Sequence, residues 1–213
     1  MSKNNFIKAS EPQQVSNKET EIILSLARQC TGEGDFCEFG CYRGDTSLLL
    51  ERLLEQRRQE NNKNGGSLQF LWIYDSFEGL PPKTSEDSSV AGDSFQAGEL
   101  LVTKKEVVER FKKAGLKVPR IRKGFFDQLD SGANSHDLPD KIAFAFLDGD
   151  LYQSIKTSLD LVSPRLQPGS IVIVHDYNNP QLPGVAKAVE EWLATTKISP
   201  TLQVRETLAI LKI

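Results

Sequence analysis

Four near-continuous apolar runs, DFCEFG at 35–40, LQFLWIYD at 68–75, KIAFAFLD at 141–148 and SIVIVHD at 170–176, are separated by stretches of helical periodicity. Strands apolar on both faces need cover on both faces, and strands that alternate with helices pair in parallel. VPRIRKGFF at 118–126 supplies a further strand of this set. The last two runs, TLQVRE and LAILKI, have no helix between them and read as an antiparallel hairpin at one edge. The expected fold is α/β, a doubly wound three-layer sandwich around a mostly parallel sheet.

Helix signals fall between these strands. Ser16-Asn-Lys-Glu19 and Thr103-Lys-Lys-Glu106 are capping boxes, the first opening IILSLARQC and the second a helix with Val107, Val108 and Phe111 inward. Gly44 or Asp45 caps a helix carrying Leu48, Leu49, Leu50, Leu53 and Leu54. A fourth helix through Ile155, Leu159 and Val162 ends near Pro164, and GVAKAVEEWLATT is the last. EQRRQENNKNGGS at 55–67 reads as a polar surface loop. Residues 1–15 read as a loose tail free to fold over a ligand, and 16–213 as a single domain. SFEGLPPKTSEDSSVAGDSFQAGEL lacks periodicity and is rich in Gly, Pro and Ser, which inside a compact domain marks a functional lid, centred on 81–100.

A net charge of -3 and a pI near 5.6 leave no basic stripe for phosphate backbones, which argues against sequence-independent nucleic-acid binding and favours small-molecule partners. No apolar run reaches the roughly 18–20 residues of a membrane span, and the start MSKNNFIKASEPQQ has no signal-peptide core, so no membrane partner and a cytoplasmic location are expected. Cys30, Cys37 and Cys41 are an odd set that reads as buried thiols; with only His136 and His175 beside them, a zinc site lacks ligands at workable spacing. The sequence permits a homo-oligomer without specifying one.

Two acidic clusters, LDGD at 147–150 and HDY at 175–177, end successive strands. In an open α/β sheet such residues share the crevice beyond the carboxyl ends of the strands, where ligands bind. Asp148, Asp150, His175 and Asp176 could hold a hard divalent cation that fixes two substrate oxygens, leaving a carboxylate to take a proton. Asp148 and Asp150 read equally as a turn or helix-capping pair. Glu38-Phe-Gly40-Cys-Tyr42-Arg-Gly44 follows the first strand; its glycines let a ligand approach the backbone, and it suits a carboxylate and an ammonium better than the diphosphate of GxGxxG, though an ordinary strand-to-helix turn would look alike. Asp75, followed by Ser76, can accept from two ribose hydroxyls or serve as a turn cap. Gly124-Phe125-Phe126 offers an aromatic wall for a base, or plain core packing.

EFGCYRG, YDSFEGLP, FLDGDLYQS, LQPGSIVIVHDY and GVAKAVEEW, in this order and spacing, resemble the macrocin O-methyltransferase (TylF-type) family, from about Glu38 to Trp192. The resemblance implies a class I S-adenosylmethionine (SAM) fold with seven strands, the last antiparallel. It implies transfer of a methyl group to a hydroxyl of a sugar or other secondary metabolite. By position it puts Glu38 and Gly40 at the methionine part of SAM, Tyr42 and Thr46 near its amino-acid end with Gly44 in the same turn, and Asp75 on the ribose. Asp148 and the pair His175-Asp176 become metal ligands, for Mg²⁺ or Mn²⁺, and Asp150 the base. Where many members read Asp-Asp-Tyr, this chain reads His175-Asp176-Tyr177, and imidazole is a poor ligand for Mg²⁺. Two other readings follow from single features: a metal-dependent glycosyltransferase using the Asp148/Asp150 spacing, and a SAM-fold binding protein whose catalysis is lost if His175 breaks the metal site. A nicotinamide oxidoreductase would need the absent GxGxxG.

Overall fold

In the computed structural model, which describes residues 14–64, 68–91, 94–129, 132 and 136–213, the apolar runs form β1 (Asp35–Phe39), β2 (Leu71–Asp75), β3 (Arg120–Lys123), β4 (Ile142–Leu147) and β5 (Leu166–Val174). The final pair forms β6 (Thr201–Arg205) and β7 (Leu208–Lys212). Seven strands lie in the order β3-β2-β1-β4-β5-β7-β6; the five first-named are parallel, and β7 runs antiparallel to both β5 and β6. The helices are α1 (Asn17–Gln29), α2 (Asp45–Asn64), α3 (Lys104–Lys113), α4 (Tyr152–Val162) and α5 (Pro183–Thr195). No helix among the described residues is long and apolar enough to cross a membrane.

Side-chain alternation sorts each strand between two cores. Phe36, Ile73, Phe144, Phe146, Ile171, Ile173 and Ile210 pack with α1, α2 and α3. Phe39, Tyr74, Ala145, Leu147, Val172, Val174 and Leu211 pack on the other face with Ile155, Leu159 and Val162 of α4 and Val185, Val189 and Trp192 of α5. Both faces are thus covered, which is why the strands read as apolar runs rather than as alternating ones. All three cysteines are buried and free.

Two expectations change. The segment from Glu55 is helical through Asn64, not a loop, because its polar residues have fixed partners: Arg57 donates to the carbonyls of Ala27 (2.8 Å), Arg28 (3.0 Å) and Cys30 (3.2 Å), closing the last turn of α1, while Arg58 pairs with buried Glu51. The tail ends sooner than residue 15, since Val15 is buried in the core; residues 1–13, and with them the expected fold-over, lie outside the described residues. Both capping boxes form as read.

The strand order reverses between β1 and β4. The crevice beyond that point is the place where such a sheet takes its ligand.

Candidate active site

Staggered hydrogen bonds carry the ladder one residue past each strand into the crevice. Gly40 N donates to Tyr74 O (2.8 Å), Asp148 N to Phe39 O (2.8 Å), His175 N to Leu147 O (2.9 Å) and Gly124 N to Asp75 O (3.0 Å). The chain then turns sharply: Tyr42, Phe77, Asp150 and Asp176, following β1, β2, β4 and β5, have φ of 44°, 52°, 58° and 60°. Left-handed backbone at non-glycine residues is strained and concentrates where surrounding structure and function demand it. At Gly40 (φ 84°) no other residue is possible, since a Cβ would lie 1.9 Å from the carbonyl oxygen of Asp148.

These turns floor a cavity of about 330 Å³. Of the residues singled out in the sequence, Gly40, Tyr42, Asp75, Ser76, Phe125, Asp148, Asp150, His175 and Asp176 line it together. Phe126 also lines it while packing edge-on to Phe39 at 5.3 Å, so it serves the core and the wall together. Glu38, Gly44 and Thr46 are not on its surface. Gly44 (φ 79°) closes the turn into α2 and faces Val107 of α3, where a Cβ would sit at 3.3 Å; Thr46 is buried in the first turn of α2.

Glu38 lies behind the turn at 1% exposure; its Oε2 and the Oγ of neighbouring Ser47 have no hydrogen-bond partner among the described residues. Burial, partly offset by the nearby Ser47 hydroxyl and reinforced by the negative charge of Asp148 and Asp75, pushes the Glu38 carboxyl up to about 8. A buried acceptor without a donor is disfavoured, and calls for a group that supplies one. Asp75 is engaged instead: Oδ2 accepts from the amides of Cys41 (2.9 Å) and Tyr42 (3.2 Å), and Oδ1 from Phe77 (2.8 Å). It braces the β1 turn against the β2 turn, leaving part of its accepting capacity facing the cavity. Ser76 closes its own turn, donating to Gly79 O (2.7 Å).

His175, 5% exposed, has Nδ1 at 2.8 Å from Asp148 Oδ1 and 3.1 Å from Asp176 Oδ2. One donor atom from each of the three lies within 4.8 Å of the others, a spacing fit for one metal ion. Burial alone would favour the neutral ring, but Asp148, Asp176 and Glu19 outweigh it and hold the imidazole pKa well above its usual value. Asp150 is raised well above the ordinary carboxylate range by desolvation, then by Asp148 and Asp176. The helix-capping reading of the Asp pair does not hold: the residue capping α4 is Leu151, without a side-chain bond, and the Tyr152 amide donates to Asp87 Oδ1 at 2.7 Å.

That bond belongs to the segment expected to be a lid. Asp87 is 1% exposed, and its other oxygen accepts from Thr84 N and Oγ1, both at 2.9 Å. The base of the segment is closed by Leu80 N donating to Glu99 O and Gly98 N to Leu80 O, both at 2.9 Å, and Pro81, Pro82, Thr84 and Leu100 line the cavity. Sequence reasoning missed Asp87, one acid in a polar run, and the α4 residues Gln153, Ser154 and Thr157, which carry no pattern apart from the helix they stand on. It also missed Glu19, read only as a cap, whose Oε2 lies 3.8 Å from His175 Nε2.

A family model described as macrocin O-methyltransferase (TylF) matches residues 20–210. The chain belongs to this family. Among its relatives, the 8-demethyl-8-(2,3-dimethoxy-alpha-L-rhamnosyl)-tetracenomycin-C 4'-O-methyltransferase of Streptomyces olivaceus is 32% identical over 149 residues, 68% of this chain and 53% of that protein. Demethyldecarbamoylnovobiocin O-methyltransferase of Streptomyces niveus is 30% identical over 194 residues, 84% of this chain and 68% of that protein. The chain therefore spans between about half and two thirds of the length of these curated relatives. The solved structure of the O-methyltransferase NovP superposes with a TM-score of 0.70 at 25% identity, covering 92% of this chain and 79% of the other. The calicheamicin methyltransferase CalS11 gives 0.70 at 22% identity, covering 93% and 80%, and confirms the class I fold. The glycosyltransferase reading finds no support among these relatives.

Proposed function

We propose that this TylF-family protein transfers the methyl group of SAM to a hydroxyl of a small molecule, a sugar or other secondary metabolite, assisted by a divalent cation. The observation that carries the reading is the meeting, at one strand-order reversal, of a buried carboxyl whose Oε2 has no hydrogen-bond partner among the described residues and an acid-imidazole cluster. SAM ends in an ammonium and a carboxylate, and the ammonium would reach the Glu38 carboxyl past the Gly40 turn, since Glu38 lies behind that turn and off the cavity surface. Tyr42 would bound that end, with Gly44 and Thr46 holding the turn from behind; Asp75, with Ser76, would meet the ribose hydroxyls, and Phe125 the adenine. A cation at Asp148, His175 and Asp176 would orient the acceptor oxygen and make its hydroxyl more acidic. The donor set of two carboxylates and an imidazole favours Mn²⁺ or a similar ion over Mg²⁺, which prefers oxygen alone.

In the transfer the acceptor oxygen forms a bond to the methyl carbon as the carbon–sulfur bond breaks, and the hydroxyl proton leaves. In this reading Asp150 takes it. Asp150 lines the cavity two residues from Asp148, and its carboxylate would accept the proton there. The segment around 81–100 would form the acceptor wall as a lid.

Asp150→Asn should leave SAM affinity within about twofold by calorimetry and lower kcat by about 10²-fold or more, the usual contribution of a general base. Turnover at the wild-type rate would remove Asp150 from the mechanism. Wild-type protein that binds SAM yet methylates no member of a hydroxylated metabolite panel would favour a binding protein instead.

A further inference from the structure

We propose that Glu19 is a positioning residue for His175, holding the imidazole so that Nδ1 faces the cation site while Nε2 is backed by a fixed negative charge. The inference rests on the metal part of the function proposed above. An imidazole ligates through the nitrogen that carries no proton, and which nitrogen that is depends on what the other one faces. Here Nδ1 is the nitrogen beside Asp148 and Asp176, and Nε2 looks back towards Glu19 Oε2 at 3.8 Å. That is an ion-pair distance rather than a hydrogen bond, so Glu19 orients the ring through charge. The ring is buried at 5% exposure and Glu19 likewise.

A capping box alone does not require this. Glu106, in the same Thr-x-x-Glu arrangement at the start of α3, accepts from Thr103 N (2.8 Å) and Oγ1 (2.7 Å) and stands in solvent. Glu19 takes the equivalent bonds from Ser16 N (3.0 Å) and Oγ (2.6 Å) and also accepts from Thr207 N (3.3 Å) and Thr207 Oγ1 in the β6–β7 turn. Its carboxylate is thus tied both to Ser16 and to Thr207, 188 residues further along the chain than Glu19, and lies against the end of β5. A solvated cap would serve the helix as well. The additional fixing is what an outer carboxylate needs if it is to set a ligating histidine.

The test is a calorimetric titration of Mn²⁺ into wild-type protein, Glu19→Gln, His175→Asp and the double variant, with SAM affinity and melting temperature measured alongside. Glu19→Gln should weaken Mn²⁺ binding by about 10- to 100-fold, the range for loss of an outer-shell partner, with SAM affinity retained. In the His175→Asp background the same change should alter Mn²⁺ affinity by less than about twofold, since no imidazole remains to be oriented. Ser16→Ala, which weakens the cap without removing the charge, should lower the melting temperature and leave Mn²⁺ affinity unchanged. Equal losses in both backgrounds, or no loss in either, would overturn the inference. Wild-type protein that binds SAM but no Mn²⁺ would overturn it together with the metal part of the function; failure to bind SAM would instead strike the methyl-transfer reading itself. Should Glu19→Gln not fold, Glu19→Asp, which keeps the charge and shortens its reach, gives the same comparison.

Discussion

Replacing Glu38 by Gln should flatten the pH dependence of the protein's stability. The carboxyl is 1% exposed, its Oε2 lacks a partner among the described residues, and its pKa is pushed up to about 8 from an ordinary 4.5. A group whose folded pKa exceeds its unfolded one supports folding fully below the unfolded value and loses that support as pH rises through the folded one. Between pH 4.5 and 8 wild-type stability should therefore fall, by at most about 5 kcal/mol at 1.36 kcal/mol per unit, with relaxation and water entry reducing the figure. Gln keeps the shape and carries no titrating proton. Urea unfolding of both proteins without ligand from pH 5 to 9 reads the difference: at pH 5 the variant should match or slightly trail wild type, and at pH 9 it should exceed it by about 2 kcal/mol or more. Parallel curves across the range would refute the burial argument. A second arm reads the proposed cofactor contact. At pH 7 a group with a pKa of about 8 is roughly 0.9 protonated, so an ammonium that recruits its charged form should release close to that many protons on SAM binding. Calorimetry in buffers of differing ionisation enthalpy would count them, and the variant should release none from this position.

Gly40→Ala should abolish soluble expression or lower stability by more than about 4 kcal/mol, because its Cβ would lie 1.9 Å from the Asp148 carbonyl oxygen; a wild-type melting curve would count against the described turn. Asp87→Ala removes a buried carboxylate that accepts from Tyr152 N, Thr84 N and Thr84 Oγ1, and should cost about 3 kcal/mol, a fall of roughly 6–12 °C in melting temperature. It should also expose the segment between residues 80 and 100 to limited proteolysis, and an unchanged digestion rate would contradict the tether.

The sheet was legible because its strands are covered on both faces, so that IAFAFL and IVIV leave few alternatives, and because an uninterrupted strand pair can only close as a hairpin. The strand-end acids were legible for a related reason: a charged residue closing an apolar run must leave the sheet where the run stops. The helical stretch after Glu55 was not, since its stability comes from Arg57 reaching the end of α1, a contact between segments about thirty residues apart. Glu19 and Asp87 were hidden in the same way. Each carries a local signal, a capping box or a polar turn, that accounts for it fully within the sequence, while its second contact, to His175 or to the Tyr152 amide, exists only after folding.

The lining of the cavity is built from two kinds of material. Beside the strand ends the shape is set by main chain, by a glycine with no room for a methyl group and by left-handed turns at Tyr42, Asp150 and Asp176, so nearly any exchange there disturbs the scaffold. The lining also includes Pro81, Pro82, Thr84, Gln153, Ser154 and Thr157, side chains on a surface segment and a helix face that can be traded without moving a strand. Selection for new acceptors, natural or in the laboratory, should accumulate its changes among those side chains and leave the strand-end turns almost untouched.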